Sequence, residues 1–447
     1  MKGEGKQVYI ETYGCQMNVA DSEVVASILS GHGYLITEEI EKAGLILINT
    51  CSIRDNAEQR IFKRLKSLNY LKRKDGRLMI GLLGCMAERL REQILEKEKL
   101  VDFAAGPDAY RDLPNLLAEA GSGHKAINVI LSAEETYADI RPVRMDRNGV
   151  TSFVSIMRGC DNMCAYCVVP FVRGTERSRD PQSILREISE LNTAGYREAT
   201  LLGQNVNSYR WNSNGKNVDF ADLLEMAARD NPSMRIRFST SHPRDISDKL
   251  LTVISGHGNI CRHIHLPAQS GSSRILKLMN RGYTREWYLG RVEAIHRIIP
   301  ECSISTDIIT GFCTETQEDH RDTLSMMEQA GFDFAYMFKY SERPGTAAEK
   351  YSDDVPEAVK TERLNEIISL QNQLSGNSKK QDVGKVFEVL AEGPSKRSLL
   401  HLSGRTSQNK VVVFPRGDAM PGDYVEVLIE KCTSATLIGR IISRCQA

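Results

Sequence analysis

The chain has 447 residues, of which 41% are hydrophobic, 26% charged and 6% aromatic. This length predicts two or three domains, and the composition excludes a fibrous or intrinsically disordered protein. The formal net charge is zero, which argues against indiscriminate binding to polyanions but allows a local basic surface.

The polar start of the chain, residues 1–6, leads directly into a strand-like run, so we expect no signal peptide. No apolar stretch approaches the roughly 20 residues that a bilayer span requires. We therefore expect a cytoplasmic protein without membrane contact. Eleven cysteines in a reducing compartment predict metal binding or redox chemistry in preference to disulfides.

The first 120 residues alternate short β-like runs with amphipathic helical stretches. The predicted strands lie at residues 7–13, 45–49 and 78–83, and the predicted helices at 19–29, 57–71 and 88–97. This rhythm is typical of a parallel sheet covered by helices. We assign residues 1–123 to an α/β domain and residues 124–149, which lack a sustained period, to a connector.

Six further β-like runs follow, separated by segments long enough for crossover helices. They lie at residues 153–157, 199–202, 235–240, 263–267, 303–309 and 334–340. Six such units predict a partial (β/α)6 barrel of the TIM type over residues 150–375.

In residues 376–447 the pattern changes to short β-like runs broken by Gly and Pro. This pattern predicts a small antiparallel β-barrel. From residue 375 onward the chain carries eleven Lys and Arg against seven Asp and Glu. A basic β-barrel of this size is a plausible nucleic-acid module.

Three cysteines, Cys160, Cys164 and Cys167, directly follow the first predicted strand of the (β/α)6 barrel. Three thiolates from one loop can hold three irons of a 4Fe-4S cluster and leave the fourth iron open. A structural zinc site is the alternative, but zinc usually takes four ligands, and no fourth Cys or His lies close in sequence. Barrel chemistry occurs at the carboxyl ends of the strands, where this loop falls.

Three more cysteines, Cys15, Cys51 and Cys85, each follow a predicted strand of the first domain. Because parallel strands emerge at one edge of a sheet, these thiols can converge on a second cluster with an open iron. For any single cysteine, a small buried residue is the simpler interpretation. The other cysteines lack such spacing and are interpreted as packing or surface residues: Cys261, Cys302, Cys313, Cys432 and Cys445.

The Cys-x3-Cys-x2-Cys loop, with Tyr166 before its last cysteine, is similar to that of radical S-adenosylmethionine (SAM) enzymes. The segments 12–18, 49–54 and 84–87, around the other three cysteines, resemble the N-terminal domain of the methylthiotransferases, and the C-terminal barrel resembles a TRAM domain. Segments 152–157, 167–171 and 202–209 most resemble the branch acting on isopentenyladenosine in tRNA. Arg158 departs from that branch, which commonly has an acidic residue there.

The resemblance implies two 4Fe-4S clusters and two SAM molecules per turnover. One SAM would methylate sulfur attached to the auxiliary cluster at Cys15, Cys51 and Cys85. The second would supply the radical that attacks C2 of N6-isopentenyladenosine at position 37, next to the anticodon. The implied partners are a tRNA anticodon stem-loop, a sulfur source and an electron donor such as flavodoxin or ferredoxin, and we expect a monomer.

Polar residues recur at the predicted strand ends of the barrel, and we select Ser239, Gln269 and Asp307 as candidate SAM contacts. Each could instead cap a helix or satisfy a loop backbone. The charged run after the cysteine loop supplies candidate substrate contacts, with a solvated turn as the alternative: Glu176, Arg177 and Arg179. His263 and His265 point to the same face of a strand and are interpreted as structural.

Other functions stay open at this point. The nearest alternative is methylthiolation of a threonylcarbamoyladenosine tRNA or of a ribosomal protein aspartate, which would share the six cysteines. A different class is a nonenzymatic RNA-binding protein that senses through iron-sulfur clusters, and it predicts no SAM cleavage.

Overall fold

The computed structural model describes residues 6–51, 55–145, 148–213 and 215–445. The chain folds into two compact units. The first contains the residues up to Met145 together with Met157–Asp161 and Val168–Ser183. The second contains residues 148–156, Asn162–Cys167 and the chain from Ile184 onward. No helix of the described part is long and apolar enough to cross a membrane.

A six-stranded parallel sheet forms the centre of the first unit. Its strands are β1 (Gln7–Thr12), β2 (Leu35–Ile36), β3 (Leu45–Thr50), β4 (Met79–Gly84), β5 (Phe103–Ala105) and β6 (Ala126–Asn128). Its helices are α1 (Gln16–Gly31), α2 (Asp55–Lys74), α3 (Cys85–Leu90), α4 (Glu92–Lys97) and α5 (Leu113–Gly121). The order across the sheet is β2-β1-β3-β4-β5-β6.

The sheet is covered on both faces, which explains why β3 begins with four consecutive apolar residues, 45–48, and why all six of its residues are buried. One core packs residues of α1 and α5 against the sheet, and another packs residues of α2, α3 and α4. The three predicted strands correspond to β1, β3 and β4. Strands β2, β5 and β6 have only two or three residues each, too few to show a period in the sequence.

The next stretch alternates between the units. Its elements are β7 (Thr151–Ser155), β8 (Met157–Arg158), α6 (Val169–Arg173), β9 (Arg177–Ser178) and α7 (Pro181–Thr193). Strands β8 and β9 pair antiparallel, with Arg158 opposite Arg177, and lie with α6 in the first unit. Strand β7 belongs to the second unit.

The second unit contains six parallel strands in two sheets, β13-β10-β7 and β14-β15-β16, joined by a parallel bridge between Ile236 and Ile260. Its further strands are β10 (Glu198–Leu202), β11 (Arg210–Ser213), β12 (Lys216–Asp219), β13 (Arg235–Ser239), β14 (His263–His265), β15 (Ser303–Thr310) and β16 (Phe334–Lys339). Its helices are α8 (Phe220–Asp230), α9 (Asp248–Gly256), α10 (Ser273–Leu278), α11 (Arg285–Ile298) and α12 (Gln317–Ala330). The predicted partial (β/α)6 barrel is confirmed.

The C-terminal part begins with α13 (Glu357–Lys380) and continues as a closed β-barrel. The barrel strands are β17 (Val386–Ser395), β18 (Ser398–Thr406), β19 (Val411–Pro415), β20 (Tyr424–Cys432) and β21 (Leu437–Arg444). The small antiparallel barrel was predicted, but β18 was not. Its adjacent Leu399 and Leu400 are both exposed, which breaks the alternation that marks a strand.

This β-barrel packs against the amino ends of the parallel strands in the second unit. Arg235, the first residue of β13, donates to the carbonyl of Arg405 at 2.8 Å and to Glu388 Oε1 at 2.7 Å. The Tyr424 hydroxyl donates to the carbonyl of Arg197, just before β10, at 2.7 Å. The carboxyl ends of the same strands, where barrel chemistry is expected, therefore point away from the β17–β21 barrel.

A buried ion pair lies beside this contact. Arg237 donates from Nε and Nη2 to the two carboxylate oxygens of Glu198, both at 2.9 Å, and the two side chains are 8% and 5% exposed. Burial alone would raise the pKa of Glu198, but the Arg237 charge outweighs it, so this pKa lies below its usual value.

We expect Arg237→Met to reduce the free energy of unfolding by about 3–5 kcal/mol, because the Glu198 carboxylate is left buried without its counter-charge. Urea denaturation at pH 7 measures this loss. The control is Arg229→Met, whose side chain is 66% exposed and whose removal should change the stability by less than about 0.5 kcal/mol. Folding lowers the pKa of Glu198. The ion pair therefore adds to the free energy of unfolding above the unfolded-state pKa of Glu198, about 4.3, and this addition is lost at lower pH. Equal losses for both variants would contradict the importance of the pair.

Candidate metal centres and their surrounding charges

Cys15, Cys51 and Cys85 follow β1, β3 and β4, which are neighbours in the parallel sheet. Cys15 precedes α1, Cys51 directly follows β3, and Cys85 is the first residue of α3. Parallel strands end at a common edge, so the fold brings these three positions together as the sequence predicts. Ser52, Ile53 and Arg54, which belong to the motif around Cys51, lie outside the described residues.

Two glycines shape the turns before these cysteines. Gly14 has φ +119°, and a Cβ added to it would lie 2.4 Å from the Cβ of Cys51. Gly84 has φ +88° and ψ −159°, and its added Cβ would lie 2.4 Å from Asn49 Oδ1 and 2.6 Å from the carbonyl oxygen of Thr50. Only glycine adopts such a conformation without strain. The close approach shows how tightly the three strand ends are packed.

Buried amides line this edge of the sheet. Asn18 donates to the carbonyl of Tyr13 at 2.9 Å, and its Oδ1 accepts from the Cys15 thiol at 3.6 Å. Asn49 donates from Nδ2 to the carbonyl of Asn18 and to Ser22 Oγ, both at 2.9 Å. Within the described part of the chain, Asn49 Oδ1 is buried without a partner.

The thiols at this edge differ in their tendency to ionise. A hydrogen bond with Cys51 and the charge of Arg173 lower the pKa of Cys15 to about 6. Desolvation of the thiol opposes this shift. The residue as a whole is exposed. Burial raises the pKa of Cys85, and Arg173 opposes that rise. Thiolates are the form that binds iron, so a cation beside the cysteines favours a metal site.

A network of five buried charges surrounds Arg173 in the first unit. Its members are Asp21, Asp108, Arg158, Arg173 and Arg177, whose side chains are at most 4% exposed. Asp21 accepts from Arg158 Nη1 at 2.7 Å and from Arg173 Nη2 at 2.8 Å. Asp108 accepts from Arg177 Nη2 at 2.9 and 3.0 Å. The network therefore holds one positive charge in excess of its carboxylates.

Arg158, the departure from the family pattern, is one of these buried charges. Besides Asp21 it bonds the carbonyl of Pro107 at 3.0 Å, and its guanidinium lies 4.9 Å from the ring centre of Tyr137. Its Nε is 3.6 Å from Asp108. The Arg158 side chain is thus buried and bonded within the first unit.

The cysteine loop at 160–167 contributes to both units, Cys160 to the first and the other two cysteines to the second. In the first unit, the Cys160 amide donates to the carbonyl of Gly174 at 3.2 Å. In the second unit, the Cys167 amide donates to the carbonyl of Cys164 at 3.0 Å, and Arg281 Nη1 donates to Cys164 Sγ at 3.3 Å. Arg281 is buried beside that thiol, and no motif in the sequence singles it out.

No three Cys, His, Asp or Glu side chains of the described residues lie close enough together to bind one metal ion. A mononuclear zinc site gathers its ligands within a single tetrahedron. A 4Fe-4S cluster instead uses a different iron for each cysteine, so its thiolates lie further apart. Three cysteines beside an excess positive charge fit such a cluster.

The three candidate SAM contacts all lie in the second unit. Ser239 is the last residue of β13, and Gln269 follows β14 with a left-handed backbone, φ 71°. The Gln269 amide donates to the carbonyl of Asp307 at 2.8 Å. Asp307 lies within β15, and its carboxylate is 3.5 Å from His265 Nε2. Gln269 and Asp307 are thus neighbours, and their assignment to SAM stays a prediction.

Two amides after β10 add to this end of the strands. Gln204 Oε1 and both polar atoms of Asn207 are buried, and none has a hydrogen-bond partner among the described residues. An unpaired buried amide costs free energy, so it marks a place where a ligand can bond. Neither residue was selected from the sequence as a SAM contact.

The charged run after the cysteine loop is mostly internal. All five donors of Arg177 are used, by the Asp108 carboxylate and by the carbonyls of Glu135, Ser132 and Thr175. Arg179 is buried and donates to Ser183. Glu176 is partly exposed. These placements favour a positioning role for both arginines, and the predicted substrate contacts stay a prediction.

The two histidines of β14 share one partner. His263 Nε2 and His265 Nδ1 both lie 2.9 Å from Ser305 Oγ. Burial lowers the pKa of His263 well below its usual value. These contacts support the structural interpretation of both residues.

We expect Gly84→Ala to weaken the cysteine edge, because alanine is strained by about 1–3 kcal/mol at this backbone conformation and its Cβ meets backbone atoms. Iron bound per chain after anaerobic reconstitution and the thermal unfolding midpoint should both fall. Gly76→Ala is the matched control, since nothing lies within 4 Å of its added Cβ. Equal iron content in the two variants would contradict the role of this turn.

Three family models match the chain. They are the family described as "Uncharacterized protein family UPF0004" over residues 7–106, the radical SAM superfamily over residues 154–327 and the TRAM domain over residues 380–442. Their order along the chain is that of the first α/β sheet, the partial (β/α)6 barrel and the small β-barrel.

Curated relatives match nearly the whole chain. Proteins named tRNA-2-methylthio-N(6)-dimethylallyladenosine synthase from Amoebophilus asiaticus and Phocaeicola vulgatus are 61% and 58% identical to it. Each alignment covers 98% of this chain, and 93% and 96% of the respective relative. A relative of the same name from Porphyromonas gingivalis is 55% identical over 98% of the chain and 95% of its own length.

Solved structures show the same architecture at low sequence identity. The radical S-adenosylmethionine methyltransferase TsrM from Kitasatospora setae, with tryptophan substrate and a SAM analogue bound, is 13% identical, with a TM-score of 0.58 over 87% of this chain and 79% of that chain. The cobalamin-dependent S-adenosylmethionine radical enzyme OxsB is 14% identical, with a TM-score of 0.53 over 82% and 56% of the two chains. These likenesses show the fold alone.

Proposed function

The chain belongs to the family of the tRNA-2-methylthio-N(6)-dimethylallyladenosine synthases, and from this premise we propose that it converts N6-isopentenyladenosine at position 37 of tRNA to its 2-methylthio derivative. Family membership confirms the resemblance to radical SAM methylthiotransferases that the cysteine motifs indicate. It makes the protein an enzyme that uses SAM and iron-sulfur chemistry.

The observation that carries the proposal is the placement of Cys15, Cys51 and Cys85 after three adjacent parallel strands, in addition to the cysteine loop at 160–167. We assign one 4Fe-4S cluster to each set, so that the chain holds two. When bound, these groups supply reductive SAM cleavage and an attachment point for the sulfur that is transferred. A site that must both methylate sulfur and attach it to C2 by a radical route needs both sets.

Residues of the second unit are assigned to SAM. Gln269 and Asp307 offer an amide and a carboxylate on neighbouring chain segments, and Ser239 offers a hydroxyl at the end of β13. The unpaired amides of Gln204 and Asn207 supply further donors and acceptors at the end of β10. SAM has an amine, a carboxylate and ribose hydroxyls that require such groups. We assign two SAM molecules to each turnover.

The partners follow from the reaction. The substrate is the anticodon stem-loop of tRNA, and the basic β17–β21 barrel supplies charge for its phosphates. We assign reduction of the clusters to a flavodoxin or ferredoxin and sulfur supply to a separate donor. We propose that the enzyme acts in the cytoplasm, on its tRNA substrate, and as a monomer.

A pair of half-exposed aromatic side chains on β16 offers a contact for the bases of the RNA loop. Phe334 and Tyr336 are 48% and 49% exposed, and their rings are perpendicular at 4.8 Å. Tyr336 lies opposite Asp307 in the β15–β16 pairing and 5.9 Å from the His265 ring. Strand β16 ends its sheet, and no described strand pairs with its outer edge. Unstacked loop bases bind to such aromatic faces.

We expect Tyr336→Ala to weaken binding of the isopentenyladenosine-containing stem-loop by about 1–3 kcal/mol, the usual value of one stacked base. Fluorescence anisotropy of a labelled stem-loop measures this change. Trp287→Ala, which removes an aromatic residue of equal exposure on α11, serves as the control. Unchanged affinity in Tyr336→Ala would exclude β16 from the RNA contact.

The central experiment combines anaerobic reconstitution, reductant, SAM and isopentenyladenosine-containing tRNA, with mass spectrometry of the products. We expect both 5′-deoxyadenosine and the methylthio nucleoside. Cys15→Ala should retain deoxyadenosine formation and lose the methylthio product, because it removes a ligand of only one cluster. Cys432→Ala, outside both cysteine sets, should retain both.

Other outcomes identify the alternatives. Deoxyadenosine without modification of this tRNA would contradict the substrate and point to threonylcarbamoyladenosine tRNA or a ribosomal protein aspartate. Absence of deoxyadenosine in protein with full iron content would contradict the enzymatic proposal and favour an iron-sulfur sensor that binds RNA.

A further inference from the structure

We infer that Arg173 donates a hydrogen bond to sulfur of the auxiliary cluster and supplies the positive charge that balances it. The inference concerns a residue of the segment after the cysteine loop, on α6, and not a cluster ligand. It rests on the proposed cluster at Cys15, Cys51 and Cys85.

The first observation is an unused donor. Arg173 is 3% exposed, and its Nη2 is fully engaged by Asn18 Oδ1 at 2.9 Å and Asp21 Oδ2 at 2.8 Å. Its Nη1 is buried and has no oxygen or nitrogen acceptor among the described residues, and the Cys85 thiol is the neighbour close enough to bond Arg173. A buried guanidinium nitrogen without an acceptor is costly, so the fold is expected to provide a partner that the polypeptide alone does not.

The second observation is the identity of the neighbouring groups. The thiols of Cys85 and Cys15 interact electrostatically with Arg173. Asn18 links the same groups, because its Oδ1 accepts from both the Arg173 guanidinium and the Cys15 thiol. The unused donor therefore belongs to a side chain that is held at the cysteine edge of the sheet.

The third observation is the charge balance. Arg158 and Arg173 share Asp21, and Arg158 and Arg177 approach Asp108, so three guanidinium groups meet two carboxylates. A buried charge in excess requires an anionic partner. A 4Fe-4S cluster bound by three thiolates is a net anion and gains further negative charge on reduction. The excess charge of the network matches this requirement.

The consequence is an effect on reduction potential, which depends on net charge and on hydrogen bonds to cluster sulfur. A nearby cation stabilises the reduced cluster more than the oxidised one, because the reduced cluster is more negative. Removing the charge must therefore make the auxiliary cluster harder to reduce.

The test measures the auxiliary cluster alone, in the full-length chain carrying Cys160→Ala, Cys164→Ala and Cys167→Ala. Iron and sulfide content are determined first, and the reduction potential follows from a redox titration monitored by electron paramagnetic resonance. In this background, Arg173→Gln should lower the ratio of reduced to oxidised cluster about tenfold at a fixed applied potential, which corresponds to about 59 mV for a one-electron couple.

Two further variants separate charge from structure. Arg173→Lys retains the charge and should keep the cluster with a potential close to that of the parent. Arg111→Gln removes an arginine charge that is 45% exposed and paired with Glu135, and should leave the potential unchanged. If Arg173→Gln loses its iron while Arg173→Lys retains it, the requirement for the counter-charge is supported.

Two results would overturn the inference. One is an unchanged potential in Arg173→Gln at full iron content. The other is loss of iron from both Arg173 variants with the fold intact by circular dichroism, since lysine keeps the charge. Because no tRNA is present, the result is independent of whether isopentenyladenosine is the substrate. Failure to bind any second cluster in the parent background would instead contradict the proposed function.

Discussion

The parallel direction of β1, β3 and β4 is the constraint on which the first unit depends. Because these strands are neighbours and run the same way, the residues that follow them must meet at one edge of the sheet. Cys15, Cys51 and Cys85 are far apart in sequence and become neighbours only through this topology. The buried sheet supplies rigidity, and the glycines before two of the cysteines supply the sharp turns.

Buried charged side chains also lie near this edge of the sheet, and burying them has a cost in free energy. Asp21, 1% exposed, has its pKa held below the usual value by Arg158 and Arg173 despite complete burial. Burial of ion pairs is seldom worthwhile for stability alone, because desolvation offsets the attraction. The three arginines lie in segments 157–161 and 168–183, on either side of the cysteine loop, so the network holds both segments within the first unit.

Much of the fold was accessible from the sequence because its strongest patterns are local. Six barrel strands were placed within a few residues of their observed bounds, since each is a short run rich in apolar, β-branched or aromatic residues between helical segments. Among the strands missed, β2, β5 and β6, like β8 and β9, are too short to show a period, and β18 has two adjacent exposed leucines; the β11–β12 hairpin was also missed.

The candidate site could be predicted from the sequence only where the residue type itself indicates the chemistry. Cysteines at strand ends indicate a metal site, but Arg173 and Arg281 cannot be distinguished by sequence from surface arginines. Their burial results from contacts across the chain, such as Arg173 with Asn18 and Asp21. Arg177 was selected from a charged run as a candidate substrate contact; the fold uses all five of its donors internally, and contact with the substrate stays a prediction.

The second unit places a constraint on how RNA can reach the chemistry. The β17–β21 barrel contacts the amino ends of the parallel strands, whereas the candidate SAM residues Ser239 and Gln269 lie at the carboxyl ends. Strand β15, with eight residues, spans about 26 Å between these ends. An RNA that contacts both ends must span this length of the (β/α)6 barrel. Phe334 and Tyr336 are exposed on β16, the strand at the end of its sheet, and under the proposed function they are the side chains available there to stack on a base.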